Sequence, residues 1–248
     1  MKTFPTVLLA AVISLGIAHG QVTLVSFDFT DAPTEISATT SAAETVAPGF
    51  APATFSVVRQ NSFNESQSGI ANVAGSSGVG AAQVAGQQQN TYAWEAGSDS
   101  NYFEFTIDFG TVSAGVISFD SLDIFGRTGV QWSGTGDLLD YRADRMSTLT
   151  VRTSLDGFAS NVGAEMNPSF SNTDNDWVTT SIDLTSLVLA GTEESVTFRL
   201  YTKTNASGTE WHRSQINTVE VTGVIPEPSV YAALLGLAAL AFVVLRRR

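Results

Sequence analysis

Two histidines, His19 and His212, and no cysteine limit the nucleophile and metal chemistry open to this chain of 248 residues. A serine triad would have to use His212, since His19 falls in a leader segment, and no Gly-x-Ser-x-Gly elbow holds a nucleophile. Three-histidine and cysteine-ligated metal sites are impossible, and no His-Glu-x-x-His run, phosphate loop or dinucleotide fingerprint occurs. The lack of cysteine also removes disulfides and thiol chemistry. His212, in Gly208-Thr209-Glu210-Trp211-His212-Arg213, reads as an exposed loop residue.

Carboxylates are the remaining catalytic groups. Glycoside hydrolysis needs two of them, and Glu104 and Asp108 flank Thr106 on one face of an alternating run. Alternation places acids together on any solvated strand, however, and the Glu-x-Asp-x-x-Glu strand of laminarinase-like jelly-roll hydrolases is missing. Asn172-Thr173-Asp174-Asn175-Asp176 gathers oxygen ligands but lacks the glycine and distal Glu of a calcium loop, so it reads as a polar turn. Trp94 and Trp211 sit among small polar residues, where exposed indoles stack on sugar rings; Trp132 and Trp177 read as core. We expect no catalytic residue, no metal site and no cofactor, with Trp94 and Trp211 the candidates for glycan stacking.

The elements that must position these residues are strands. Tyr102 to Phe109 alternates, with Phe103, Phe105, Ile107 and Phe109 on one face. Thr148 to Arg152, Val196 to Tyr201 and Val219 to Val221 repeat the pattern, and Ile182 to Leu184 does so more weakly. Val22 to Phe29 is a β-rich opener, and Val116 to Phe125 reads as two short strands or one bulged strand. Residues 61–100, rich in Gly, Ser, Ala, Gln and Asn, predict loops or weak edge strands. Asp137 to Met146 allows a couple of helical turns. One-sided apolar strands must bury that face on a second sheet, which predicts an antiparallel β-sandwich.

The ends are different. Residues 1–20 have the form of a secretory signal peptide: Lys2, an apolar run from Val7 to Ile17, then Ala18-His19-Gly20 before Gln21. At the other end Pro226-Glu227-Pro228 precedes sixteen uncharged residues, Val230 to Leu245, and then Arg246, Arg247 and Arg248. As a helix, sixteen residues rise about 24 Å against a hydrocarbon core of about 30 Å, a marginal span. The arginines act as a membrane stop and stay on the cytoplasmic side. Between the ends, 21–224 forms one body. With Lys2, the terminal arginines and Glu227 set aside, eight of the 12 basic and 23 of the 24 acidic side chains remain in it. A body near −15 disfavours nucleic acid and anionic surfaces.

The order Pro-Glu-Pro, short apolar helix, arginine cluster over 225–248 resembles the PEP-CTERM sorting signal of exported bacterial proteins. The resemblance implies recognition by an exosortase, a membrane-embedded protease of cysteine-transpeptidase type, in bacteria that make exopolysaccharide. The tail would be held in the inner membrane and cut near Pro226-Glu227-Pro228, leaving the body at the cell surface or in the matrix. The body also resembles ectodomains found ahead of such tails, in Tyr102-Phe103-Glu104-Phe105-Thr106, Ser118-Phe119-Asp120-Ser121-Leu122, Arg152 to Phe158 and Thr197 to Tyr201. That second resemblance implies a jelly-roll-like sandwich without an assigned activity; an immunoglobulin-like sandwich is the alternative. The expected function is non-enzymatic, in surface or matrix structure, with exopolysaccharide as a possible partner. A carbohydrate-binding module is the first alternative and a secreted glycoside hydrolase the second.

Overall fold

The computed structural model describes residues 20–32, 38–58, 69–72, 80–87, 102–131, 147–166, 177–204, 211–225, 236–238, 240, 242, 244 and 246. The body is a sandwich of two antiparallel sheets. Sheet A contains β1 (Gln21–Asp28), β3 (Thr45–Val46), β5 (Gly69–Asn72), β6 (Gly80–Gln87), β8 (Ser118–Gln131), β11 (Val178–Asp183) and β13 (Trp211–Val224). Sheet B runs β10 (Val162–Met166), β9 (Ser147–Thr153), β12 (Ser195–Thr204), β7 (Tyr102–Asp108), β4 (Thr54–Val58) and β2 (Thr40–Ala42).

Alternation decides what each sheet buries. Phe103, Phe105 and Ile107 of β7 point inward with Phe55 of β4 and Val196, Phe198 and Leu200 of β12. Sheet A answers with Leu24, Phe27, Leu122, Ile124, Val219 and Val221. Phenylalanines lock the layers together. Phe105 stacks on Phe198 with centroids 5.1 Å apart, and Phe27 of the opposite sheet sits 5.3 Å from Phe55 and 5.5 Å from Phe105. Phe119 meets Phe198 edge-on at 5.7 Å. Each such pair adds about 0.5–1.5 kcal/mol beyond area burial.

Strand β13 is the spine of sheet A, paired along one edge with β8 and along the other with β6 and then β1. Two departures from strict alternation have a cause in its registers. Leu24 and Val25 are both buried because the β1–β13 register shifts between Thr23 and Val25. The segment read as two strands or one bulged strand is one strand, β8. Its bulge places Asp120 and Ser121 opposite Thr222, between the pairs Leu122–Val221 and Phe119–Gly223. Gly223 is required there. A Cβ on it would overlap the carbonyl oxygen of Ser118 and lie 2.8 Å from Leu24 Cδ1.

Residues 61–100 contribute β5 and β6 to sheet A, and β6 is not the weak edge strand expected, because β13 pairs with it on one side and β5 on the other; the rest of that stretch lies outside the described residues, as do 1–19 and 137–146. Residues 236–238, 240, 242, 244 and 246 are helical, and among the described residues no helix is long and apolar enough to cross a membrane.

Candidate functional site

The sandwich has two ends. One gathers the turns 109–117, 154–161 and 184–194, the start of β1 and the finish of β13, where Gln21 pairs with Val224. The first residue after the expected leader and the last strand residue before the tail are thus neighbours. Ile225 still packs on the core, and Pro226-Glu227-Pro228 follows directly, outside the described residues. Of the membrane-stop arginines, Arg246 is helical and exposed, while Arg247 and Arg248 lie outside the described residues.

Acidic side chains tie the turns at this end to their own backbone. Asp183 Oδ1 accepts the Thr185 amide at 2.8 Å and its hydroxyl at 2.6 Å. Asp156 accepts the amides of Ala159 and Ser160 and the Ser160 hydroxyl. Glu193 accepts the amides of Ala190 at 3.0 Å and Gly191 at 2.9 Å. These donors favour the ionised forms. Asp156 is held below its ordinary 3.8 chiefly by the Ser160 hydroxyl, and Asp183 by the Thr185 hydroxyl. Glu193 is lowered by backbone amides, its own first. Gln21 adds a bridge, donating to Asp120 Oδ2 and, at 2.9 Å, to Thr222.

The outer face of sheet B carries the second polar array. Register sets Arg152, Arg199, Glu104 and Ser56 in one row across β9, β12, β7 and β4. Arg199 Nε donates to Glu104 Oε2 at 2.7 Å. Its guanidinium lies 3.8 Å from the Phe158 ring centroid and 5.1 Å from that of Tyr102. Phe158 is held at φ 63° by its amide on the Thr153 carbonyl and by Arg152 Nη1 on its own carbonyl at 2.9 Å. In the next row Thr106 and Thr197 share a hydroxyl hydrogen bond of 2.8 Å. A shallow recess of about 330 Å³ lies alongside, lined by Thr54, Ser56, Glu104, Thr106 and Asp108. Glu104 and Asp108 do share a face, as the alternation requires, but Glu104 is engaged by Arg199 and Asp108 accepts the Gly110 amide.

Trp211 and His212 are not loop residues. They open β13, opposite Gln87 and Gly86 on one side and Gln131 and Val130 on the other. Their small polar neighbours hid a 14-residue strand that β6 and β8 hold on both edges. Trp94, Trp132 and the acidic run 172–176 lie outside the described residues. Trp177 is half-buried against Phe125, its ring centroid 5.6 Å away. Sequence reasoning missed the Arg199–Glu104 pair and the turn-capping acids; the Asp-x-Thr and Asp-x-x-x-Ser spacings at 183–185 and 156–160 were the available signal.

The fold therefore defines an antiparallel β-sandwich domain with a C-terminal appendage. Residues 224–248 match the family model of the PEP-CTERM protein-sorting motif. The chain carries that motif, which implies an exported, membrane-transiting protein sorted to the cell surface and processed by an exosortase. No curated protein matches the chain. Among solved structures, the K3 cleaved adhesin domain of Lys-gingipain from Porphyromonas gingivalis w83 is 12% identical at TM-score 0.35, over 82% of this chain and 99% of that one. TmCBM61, in complex with β-1,4-galactotriose, is 12% identical at TM-score 0.30, over 77% of this chain and 91% of that one. The family 11 carbohydrate-binding module of a cellulosomal cellulase of Clostridium thermocellum is 12% identical at TM-score 0.28, over 84% and 96%.

Proposed function

We propose that this is a non-enzymatic surface or matrix protein, exported through a cleaved leader (1–20) and held briefly in the inner membrane by a helix within 230–245. An exosortase-type protease then cuts near Pro226-Glu227-Pro228 and leaves the body with the extracellular polysaccharide. The observation that carries this reading is where the sorting motif begins. It starts at Val224, the last residue of β13; Ile225 packs on the core, and none of the described residues beyond it does. The tail is a handle that detaches without disturbing the core, in the manner of other cleaved apolar tails. Consecutive strands pass from sheet to sheet except at β5–β6 and β9–β10, which supports a jelly-roll-like topology. Mass spectrometry of surface material should find the body starting at Gln21 and lacking Val230–Arg248, and alanines at 226–228 should retain the longer form in the membrane. An exported form ending at Arg248 would overturn the reading.

A carbohydrate-binding body is the second reading, favoured by the recess on β4 and β7. Its hydroxyls and carboxylates are the hydrogen-bonding groups that sugar hydroxyls need. Calorimetry of residues 21–225 with a polysaccharide panel tests it; binding unchanged in Thr106→Val would move the site elsewhere.

A further inference from the structure

The chain leaves little room between the sandwich and whatever cuts its tail. Five residues, Ile225 to Ser229, separate β13 from the apolar run. Fully extended at about 3.3–3.6 Å each, they reach roughly 17 Å, whereas a small domain is about 30 Å across. A protease working on Pro226-Glu227-Pro228 at the membrane surface must abut the end of the sandwich where Gln21 pairs with Val224.

That end carries an unusual tip. Apart from the helical tail, the exposed large hydrophobic residues among the described ones are Val188, 81% exposed, and Val22, 40% exposed. Both are here. Val22 pairs with Gly223. The Val188 turn departs from β11 where the Leu184 amide meets the Asp120 carbonyl at 2.9 Å, two strand spacings, or about 10 Å, from β13. Leu184 is buried, and Leu187 and Leu189 pack on the core. Gly191, at φ 88°, closes the turn with its Cα near Gly115. Val188 is thus held outward between two anchored leucines. The same turn holds Glu193 on the Ala190 and Gly191 amides and Asp183 on that of Thr185, with Asp120 and Glu194 joined to it through the backbone. The turns 109–117, 154–161 and 184–194 contain no Lys, Arg or His, and the two arginines that reach this end, Arg152 and Arg199, are engaged at Phe158.

We propose that this apolar tip within an acidic rim is a docking surface for the membrane-embedded sorting protease, which would meet it with a basic surface holding an apolar notch. The inference rests on the tail being processed as proposed above. The rim argues against the bilayer as occupant, because anionic headgroups repel it.

The test follows tail removal in the native host by pulse-labelling the full-length chain. Val188→Asp should slow appearance of the mature form about tenfold, the loss expected from one unburied valine, and Val188→Leu should restore it. Glu194→Lys should slow it too. Full-rate processing of Val188→Asp would overturn the proposal. So would faster processing of Glu194→Lys, the result expected if the tip inserted into an anionic bilayer. A wild-type tail that is never cut would instead sink the sorting reading, and the docking surface with it.

Discussion

The two ends of the sandwich satisfy their polar groups in different ways. At the tail end the turns are short, and Asp156, Asp183, Glu193 and Asp108 each accept amides from within a few residues. In the opposite half, the buried hydroxyls of Thr150, Thr202 and Ser214 have no hydrogen-bond partner among the described residues. Locally capped turns fix backbone geometry at the cost of a few exposed carboxylates. Unpartnered hydroxyls add instability without fixing anything. The carboxylate-capped turns are the ones that lie beside the sorting tail.

The largest expected effect shows that one core serves both ends. Phe105 touches Phe27, Phe55 and Phe198, so Phe105→Ala should cost about 3–5 kcal/mol. Urea unfolding should remain a single transition; separate melting of the two halves would break the picture of a shared core. Next comes Gly223→Ala, which forces a Cβ against the Ser118 carbonyl and Leu24. A loss of about 1–3 kcal/mol is expected from overpacking, with protection of β1 amides falling first. An unchanged midpoint would mean that β8 and β13 separate easily, contrary to their register.

Thr202→Val should have the opposite sign. Its hydroxyl is buried and has no partner among the described residues, so removing it at nearly constant volume should raise stability by about 1 kcal/mol. A destabilised variant would reveal a partner for that hydroxyl and erase much of the contrast between the ends.

What the sequence revealed follows the same division. Period-2 runs such as Phe103 to Phe109 and Val196 to Leu200 were legible because each inward position is a large apolar group. Strand β6, Gly80–Gln87, was not, since its small and polar side chains carry no alternating signal; β13 and β5 pair with it all the same. The start of β13 was misread for that reason, and tertiary pairing overrode the local signal at Trp211. The Arg199–Glu104 pair depends on a cross-strand register 95 residues apart, which no local pattern encodes. The sorting tail was legible because its three parts are contiguous.

The smallest effect is the most specific to the tail end. Asp156 and Asp183 have folded pKa values below the ordinary 3.8, and Glu193 lies below 4.5. A lowered folded value means that the folded state binds protons less readily than the unfolded one. The stabilisation is therefore present in full above the ordinary values and is lost as pH falls through the folded ones. Because these carboxylates are exposed, the change stays local: the turns should loosen below about pH 4 while β7 and β12 hold. Hydrogen exchange, corrected for the intrinsic rate at each pH, should show protection of the Thr185, Ser160 and Gly191 amides dropping as pH falls from the ordinary carboxylate values through the lower folded ones. That of Phe198 should not move. Asp183→Asn should remove the pH response at Thr185 alone. If Thr185 stays as protected in Asp183→Asn as in the wild-type protein above the ordinary carboxylate values, the carboxylate caps are not what orders this end, and the turn geometry must come from the packing of Leu184, Leu187 and Leu189.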